Sequence, residues 1–226
     1  MPRIAAGRDT PLTRDEIVDA ALAISDVEGL DSLTTSRLAA SVGVSQMALY
    51  RHFTSKAEIV QAALDRVWTD ALTLDEVPSD PVEVVVQASL SVWRAFLAHP
   101  SVAGLVGAVP EPSPELEERT SNIALLLQLA GFGPDEVATA YTTLATYTLG
   151  AVLLIGSRFE SMITLGRDAD SAREHVRGTI QDDDPTVGVL AAIVPTTAEA
   201  EADFEQGLRA LLRGLLDERP SPSHVT

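Results

Sequence analysis

The stretch that most constrains this chain runs from Thr34 to Lys56, TTSRLAASVGVSQMALYRHFTSK, because it sets two short helical patterns about one glycine. Thr34 can cap a first helix whose apolar Leu38, Ala39 and Val42 face inward, and Gly43 offers the permissive backbone that a sharp reversal needs. Ser45 can cap a second helix that keeps Leu49 and Phe53 for the core and leaves Gln46, Met47, Tyr50, Arg51 and His52 pointing outward. Two helices joined this tightly cross closely only over short side chains, which Ala39 and Ala40 supply. A helix presented in this way can lie in the major groove of DNA.

On either side the pattern stays helical. Thr13 and Glu16 have the spacing of a capping box, opening a helix in which Ile17, Ala20, Ala21 and Ile24 recur on one face and which Gly29 ends. Ser55 and Glu58 repeat that spacing ahead of Ile59, Ala62, Ala63 and Val67.

The run Leu-Thr-Thr-x-x-Leu-Ala from Leu33, then Val-Gly-Val-Ser-x-x-x-Leu-Tyr-x-His-Phe-x-x-Lys from Val42, resembles the helix-turn-helix of TetR-family transcriptional regulators. The likeness is motif-grade over about residues 13–66; beyond it lie only a helical pattern and a closing segment, Phe204 to Leu216, with glycines at 207 and 214. It implies an all-α, two-domain fold: a flexible arm over 1–12, a three-helix helix-turn-helix DNA-binding domain over 13–70, a helical ligand-binding and dimerisation domain over 71–218, and a flexible tail over 219–226. It also implies a homodimer that represses transcription from a palindromic operator until a small, mostly hydrophobic effector releases it. Half-sites would then lie about 34–36 Å apart or a multiple of that.

Within this frame the expected DNA contacts divide by chemistry. Thr35 and Arg37 are placed for phosphate oxygens, and Tyr50, His52 and Lys56 match family positions that grip flanking phosphates, with Ser45 at the cap between them. Gln46 can make the paired hydrogen bonds that fit adenine, Met47 can touch a thymine methyl, and Arg51 also faces the bases. Ser36 stands where some relatives use an arginine to reach a base, so no relative's operator carries over. The bland alternative for Gln46, Met47 and Arg51 is a solvated helix face.

Charge bears on the same question. The chain is acidic, with 16 basic and 33 acidic residues and a net charge of −17, whereas a nucleic-acid binder needs a basic face. Residues 1–70 hold seven arginines and lysines against ten acidic residues, net −3, which leaves −14 for the remainder. From Arg37 to Lys56 there are three basic side chains and no acidic one, and Lys56 is the only lysine in the chain. The acidic bulk should weaken sequence-blind attachment to phosphate.

In the second half, Val82 to Leu97 reads as a long, largely buried helix ending at His99-Pro100, and Leu116 to Ala130 as another, stopped by Gly131. A helix from about Pro134 to Phe159 is apolar nearly all round, with Val137, Tyr141, Leu144, Thr148, Val152, Ile155 and Phe159 on one stripe and Ala140, Tyr147, Ala151, Leu154 and Arg158 on another. Such a helix is expected where two subunits meet. With the last helix, Glu199 to Leu216, it resembles the pair forming the family's four-helix dimer interface, which points to Ala151, Leu154, Arg158, Phe204, Leu208, Leu211 and Leu215. Trp93, Phe96, Tyr141, Leu144, Tyr147 and Thr148 offer an apolar lining with scattered hydroxyls for an effector; the alternative is plain core, with the tyrosine hydroxyls bonded to backbone.

Other classes find little support. There is no cysteine, hence no disulfide framework or thiolate site, and four scattered histidines and the acidic run at 182–184 lack metal-ligand spacing, so neither metal nor cofactor is expected. The N-terminus lacks a signal-peptide core, and no stretch shows about 18 unbroken apolar residues, which points to a soluble cytoplasmic protein. An enzyme in the C-terminal domain lacks a nucleophile-base arrangement or phosphate loop. A helical dimer silent toward DNA is suggested only by the net charge.

Overall fold

A computed structural model describes residues 11–74, 76–106, 114–164, 171, 174 and 196–217. The arm, apart from Pro11 and Leu12, the tail and the acidic run at 182–184 lie outside the described residues. Those described carry nine α-helices, α1 (Arg14–Glu28), α2 (Thr35–Ser41), α3 (Gln46–Leu49), α4 (Lys56–Ala71), α5 (Pro81–Ala98), α6 (Pro100–Ala103), α7 (Pro114–Leu129), α8 (Val137–Thr164) and α9 (Thr197–Asp217), and no strand. Of the described residues, those within 1–70 and 98–108 form one compact unit and those within 71–97 and 109–226 the other. Residues 98–106, read from sequence as part of the second domain, therefore pack with the first unit.

In the first unit, α1 starts from a complete capping box: the Thr13 hydroxyl accepts from the Glu16 N–H at 3.2 Å, and the Thr13 N–H donates to the Glu16 carboxylate at 2.9 Å. Ile17, Val18, Ala21, Leu22 and Ile24 form its buried face. The helix stops where Gly29 adopts φ +80°, and a 3-10 turn, Leu30–Ser32, leads to α2. Leu33, Leu38, Leu49, Phe53, Ile59, Ala63 and Val67, each at most 3 % exposed, close one small core under α1, α2, α3 and α4. Fully burying each large apolar side chain is worth about 1.5–3 kcal/mol, so this set holds the short helices that could not persist alone.

The short helix α6 joins this unit through Asp26 of α1. One Asp26 carboxylate oxygen accepts from the Ser101 hydroxyl at 2.7 Å, and the other lies 2.7 Å from Nδ1 of His99. His99 thus follows the end of α5 and ties the turn at its end to α1.

In the second unit, two ion pairs show that α5 and α9 run antiparallel. Arg209, late in α9, donates to both carboxylate oxygens of Glu83, early in α5, at 2.7 and 2.9 Å, while Arg94, late in α5, donates to Glu201, early in α9, at 2.5 Å. Between these ends Phe204 lies stacked between Trp93 and Tyr147, with ring centroids 5.6 and 5.3 Å away. Ala200, Phe204, Leu208 and Leu212 form the buried stripe of α9, which opens on a Thr196–Glu199 capping box that the sequence reading passed over. At the end of α7, Gly131 takes φ +101° and lets Phe132 turn back, its N–H donating to the Leu127 carbonyl at 3.0 Å.

The helix α8 begins at Val137, three residues after the expected start, because residues 134–136 form a turn in which the Glu136 carboxylate accepts from the Gly133 N–H at 2.7 Å. Its buried residues are Ala140, Leu144, Thr148 and Val152, spaced by four: the last three belong to the first expected stripe and Ala140 to the second, while Tyr141 is exposed. Leu153 and Leu154 are 48 % and 52 % exposed within the single chain. Over Val137–Arg158 the helix is by length and composition apolar enough to cross a membrane, a property missed by counting unbroken apolar residues because threonines punctuate it. A helix buried on two faces in a soluble assembly passes the same test.

Candidate nucleic-acid interface

Two backbone devices create the outward-facing surface of the first unit. The Thr34 hydroxyl accepts from the Arg37 N–H at 3.2 Å and starts α2, and Gly43 at φ +71° reverses the chain while the Val44 N–H returns to the Ala39 carbonyl at 2.9 Å. Ala39 is buried at this crossing; Ala40, expected to share the role, is exposed. Ser45 occupies the N-cap of α3 in extended conformation but makes no side-chain cap bond there, a correction to the sequence reading. The residue is exposed together with the side chains that follow.

The second helix, expected to carry both Leu49 and Phe53, ends at Leu49 and passes into a turn over 50–52, and burial of Leu49 and Phe53 at the two ends of that turn decides what faces outward. Gln46, Met47, Tyr50 and Arg51 are exposed, Met47 to 71 % and Tyr50 to 48 %, and His52 is half-buried. Large apolar surface left in water on so short a helix marks a contact face. At its flanks stand Thr35, half-buried, and Arg37 and Lys56, both exposed.

The cations are not all free. Arg37 forms an ion pair with Glu28 of α1, and Lys56 Nζ reaches the Leu30 carbonyl at 3.5 Å. Arg51 and Lys56 face no carboxylate at ion-pair distance among the described residues.

Sequence reasoning missed the residue that braces this surface from behind. Arg14 donates to the His52 carbonyl at 2.6 Å and to Glu58 at 3.0 Å, and its guanidinium lies 3.9 Å from the centre of the Phe53 ring. Glu58 in turn accepts from the Thr54 N–H at 2.6 Å and the Thr54 hydroxyl at 2.8 Å. The second capping box is therefore only half formed as expected: the Glu58 N–H donates to the Ser55 hydroxyl at 3.1 Å, but the carboxylate reaches back one residue further, to Thr54. These bonds, Thr54 first and Arg14 after, hold the Glu58 carboxyl below its ordinary range. The only available signal was an arginine directly after the capping threonine, which by itself is unremarkable.

In the second unit the expected effector residues separate. Trp93, Phe96, Leu144 and Thr148 are buried, Tyr147 is half-buried, and Tyr141 faces outward. The Tyr147 hydroxyl donates to the Phe204 carbonyl at 3.2 Å, and burial pushes its ionisation up, with the nearby Asp203 charge adding to the effect. Trp93 is 1 % exposed, and its indole N–H is buried with no acceptor among the described residues. Of the side chains expected at a subunit interface, Phe204 and Leu208 are 4 % and 0 % exposed within their own chain and have no surface to offer a second one. Their spacing of four placed them on the core stripe of α9. Ala151, Arg158, Leu211 and Leu215 are half-buried and Leu154 is exposed. Among the described residues no three acidic or histidine side chains are grouped to hold a metal ion.

The first unit is thus a helix-turn-helix domain of the kind that presents a short helix to DNA. A family model described as "Bacterial regulatory proteins, tetR family" matches residues 17–63, and one described as "Tetracyclin repressor-like, C-terminal domain" matches residues 82–219. The chain belongs to the TetR family of bacterial transcriptional regulators and is a regulator, not an enzyme. It is similar to the class A tetracycline repressor protein from transposon 1721 of Escherichia coli, 28% identical over 214 residues that cover 93% of each chain. Among solved structures it is similar to the TetR family protein ActR from Streptomyces coelicolor in complex with actinorhodin, with 28% identity, a TM-score of 0.67, and coverage of 92% of this chain and 98% of that one. A further TetR transcriptional regulator from Streptomyces coelicolor gives a TM-score of 0.74 at 27% identity, with 92% and 99% covered.

Proposed function

We propose that this regulator acts as a cytoplasmic homodimer that holds a palindromic operator and leaves it when a small, mostly hydrophobic effector binds the second unit. The observation that carries the reading is the exposed set Gln46, Met47, Tyr50 and Arg51, on α3 and the turn that follows it, held by the buried Leu49 and Phe53. Gln46, Met47 and Arg51 would read base edges, and Thr35, Arg37, Ser45, Tyr50, His52 and Lys56 would hold sugar and phosphate. The domain limits read from sequence, 13–70 and 71–218, stand as part of this proposal, with residues 98–106 reassigned to the DNA-binding side.

Two subunits are required because one short helix reads too few bases to define a site. The exposed Leu153 and Leu154 of α8 support pairing through that helix, together with Ala151, Arg158, Leu211 and Leu215. Trp93 supports an effector site, since a buried N–H without an acceptor costs about 1–3 kcal/mol and a bound carbonyl or ether oxygen would recover it. Phe96, Leu144 and Thr148 would form the surrounding wall. ActR, similar over most of the chain, has been solved with actinorhodin bound.

The test is a titration of purified protein against the DNA upstream of its own gene at several salt concentrations, with Tyr50→Ala as control. Sequence-selective binding that survives competitor DNA and is lost in Tyr50→Ala supports the reading. Absence of binding there and in a selection from random DNA would refute operator recognition.

A further inference from the structure

The ion pair between Glu28 and Arg37 joins two charges that each sit at the unfavourable end of their own helix. Glu28 is the last residue of α1, where the backbone dipole opposes a carboxylate, and Arg37 is the third residue of α2, where it opposes a cation. Neither helix gains from its charge, so the placement is explained by the contact itself and by what surrounds it. The pair is half-exposed, at 35% for Glu28 and 49% for Arg37, and an ion pair open to water exchanges partners readily. Arg37 is exposed in the first turn of α2, its N–H bonded to the capping Thr34 hydroxyl, at a position the sequence assigns to phosphate contact. A carboxylate and a phosphate offer a guanidinium the same thing, two anionic oxygens at matching spacing.

We infer that Glu28 is an autoinhibitory residue that occupies Arg37 as a surrogate for DNA phosphate. On DNA of arbitrary sequence the head docks loosely and Arg37 stays with Glu28, so one phosphate contact is forgone. On the operator, base contacts seat the head closely enough for Arg37 to exchange Glu28 for phosphate. Both modes of binding are thereby weakened, the sequence-blind one by the contact it forgoes and the operator one by the cost of breaking the pair. This goes beyond the regulator reading and rests on its DNA-facing surface.

The experiment measures binding to a fluorescent mixed-sequence duplex of three helical turns, about 30 base pairs, from low to physiological salt. Wild type, Glu28→Gln, Arg37→Gln and the double variant are compared, each checked by thermal melting. Glu28→Gln is expected to bind this duplex about three- to tenfold more tightly at low salt. Its log K against log salt should steepen by about 0.9, the increment for one phosphate contact. With Arg37→Gln already present, Glu28→Gln should add nothing beyond a small uniform effect. On a duplex selected for tight binding, where Arg37 has already exchanged partners, Glu28→Gln should tighten binding at least as much by removing the cost of breaking the pair, but without steepening the salt dependence. If it tightens mixed-sequence binding equally in both Arg37 backgrounds, Glu28 acts only through net charge and the inference is overturned. The same follows if binding does not change while wild type binds DNA. Wild-type protein that binds neither duplex at low salt would overturn DNA recognition by this surface as well, a distinct failure.

Discussion

Replacing Gly207 by alanine sets two effects of opposite sign against each other. In an open helix the change gains about 1 kcal/mol through restricted unfolded-chain freedom and better helix propensity. Here a Cβ at 207 would overlap the Tyr147 hydroxyl and come within 3.0 Å of the ring carbon bearing it. Tyr147 cannot move aside freely, because its ring is stacked on Phe204 at 5.3 Å and its hydroxyl donates to the Phe204 carbonyl. Overpacking of this kind costs about 1–3 kcal/mol, and losing the hydrogen bond and the ring pair adds about 0.5–1.5 kcal/mol each. Gly207→Ala should therefore be less stable than wild type by about 2 kcal/mol, despite its better helix propensity. Tyr147→Phe alone should cost about 1 kcal/mol. The double variant should return to within about 1 kcal/mol of wild type, because the overlapping oxygen is gone. The assay is equilibrium urea unfolding at fixed protomer concentration, followed by far-UV circular dichroism and by the emission of Trp93, which packs on Phe204. If Gly207→Ala matched or exceeded wild type, or if the two changes added within about 0.5 kcal/mol, the close approach of α8 and α9 at this point would be refuted.

Asp26→Ala removes the acceptor shared by His99 and Ser101 and should free residues 99–103 from α1, costing about 2–3 kcal/mol in the first unit; faster amide exchange in α6 checks it. The Glu83 and Glu201 carboxyls are held low by their bonds to Arg209 and Arg94, so the stability they confer is present above their ordinary value of 4.5 and is lost as pH falls through the depressed folded value. Acid unfolding of Glu83→Gln should show a weaker pH dependence in that window than wild type. Tyr147 titrates above its ordinary value of 10.0, so stability should fall as pH rises past that point, and Tyr147→Phe should lose this alkaline limb. Leu154→Glu places a charge on the exposed apolar face of α8 twice in a two-fold dimer; sedimentation should show a dimer dissociation constant raised by at least about 100-fold, that is roughly 3 kcal/mol, and an unchanged dimer would remove α8 from the interface.

How far the sequence could be read follows from how local each feature is. The capping box at Thr13, the cap at Thr34 and the positive φ of Gly29, Gly43 and Gly131 depend on residues within one turn of chain, and each is visible as a residue type at a fixed offset. Leu49 and Phe53 were equally legible, because an apolar pair spaced by four fixes which side of a short helix faces water. The brace at Arg14 was not, since its partners lie 38 and 44 residues away. On α8 and α9 periodicity marked apolar faces without saying which neighbour covers each. Phe204 and Leu208 were therefore assigned to a partner subunit when their own chain buries them.

By itself, then, the sequence determined the kind of fold and the identity of the outward-facing helix, because helix propensity, capping and periodicity act over a few residues and need no partner. Only the tertiary structure decided that Glu28 meets Arg37, that Asp26 draws His99 and Ser101 into the first unit, and that Phe204 lies between Trp93 and Tyr147. These contacts join residues far enough apart in the chain that no local pattern pairs them. Charge pairing and ring stacking act over a few ångströms, and only the folded chain brings such groups that close.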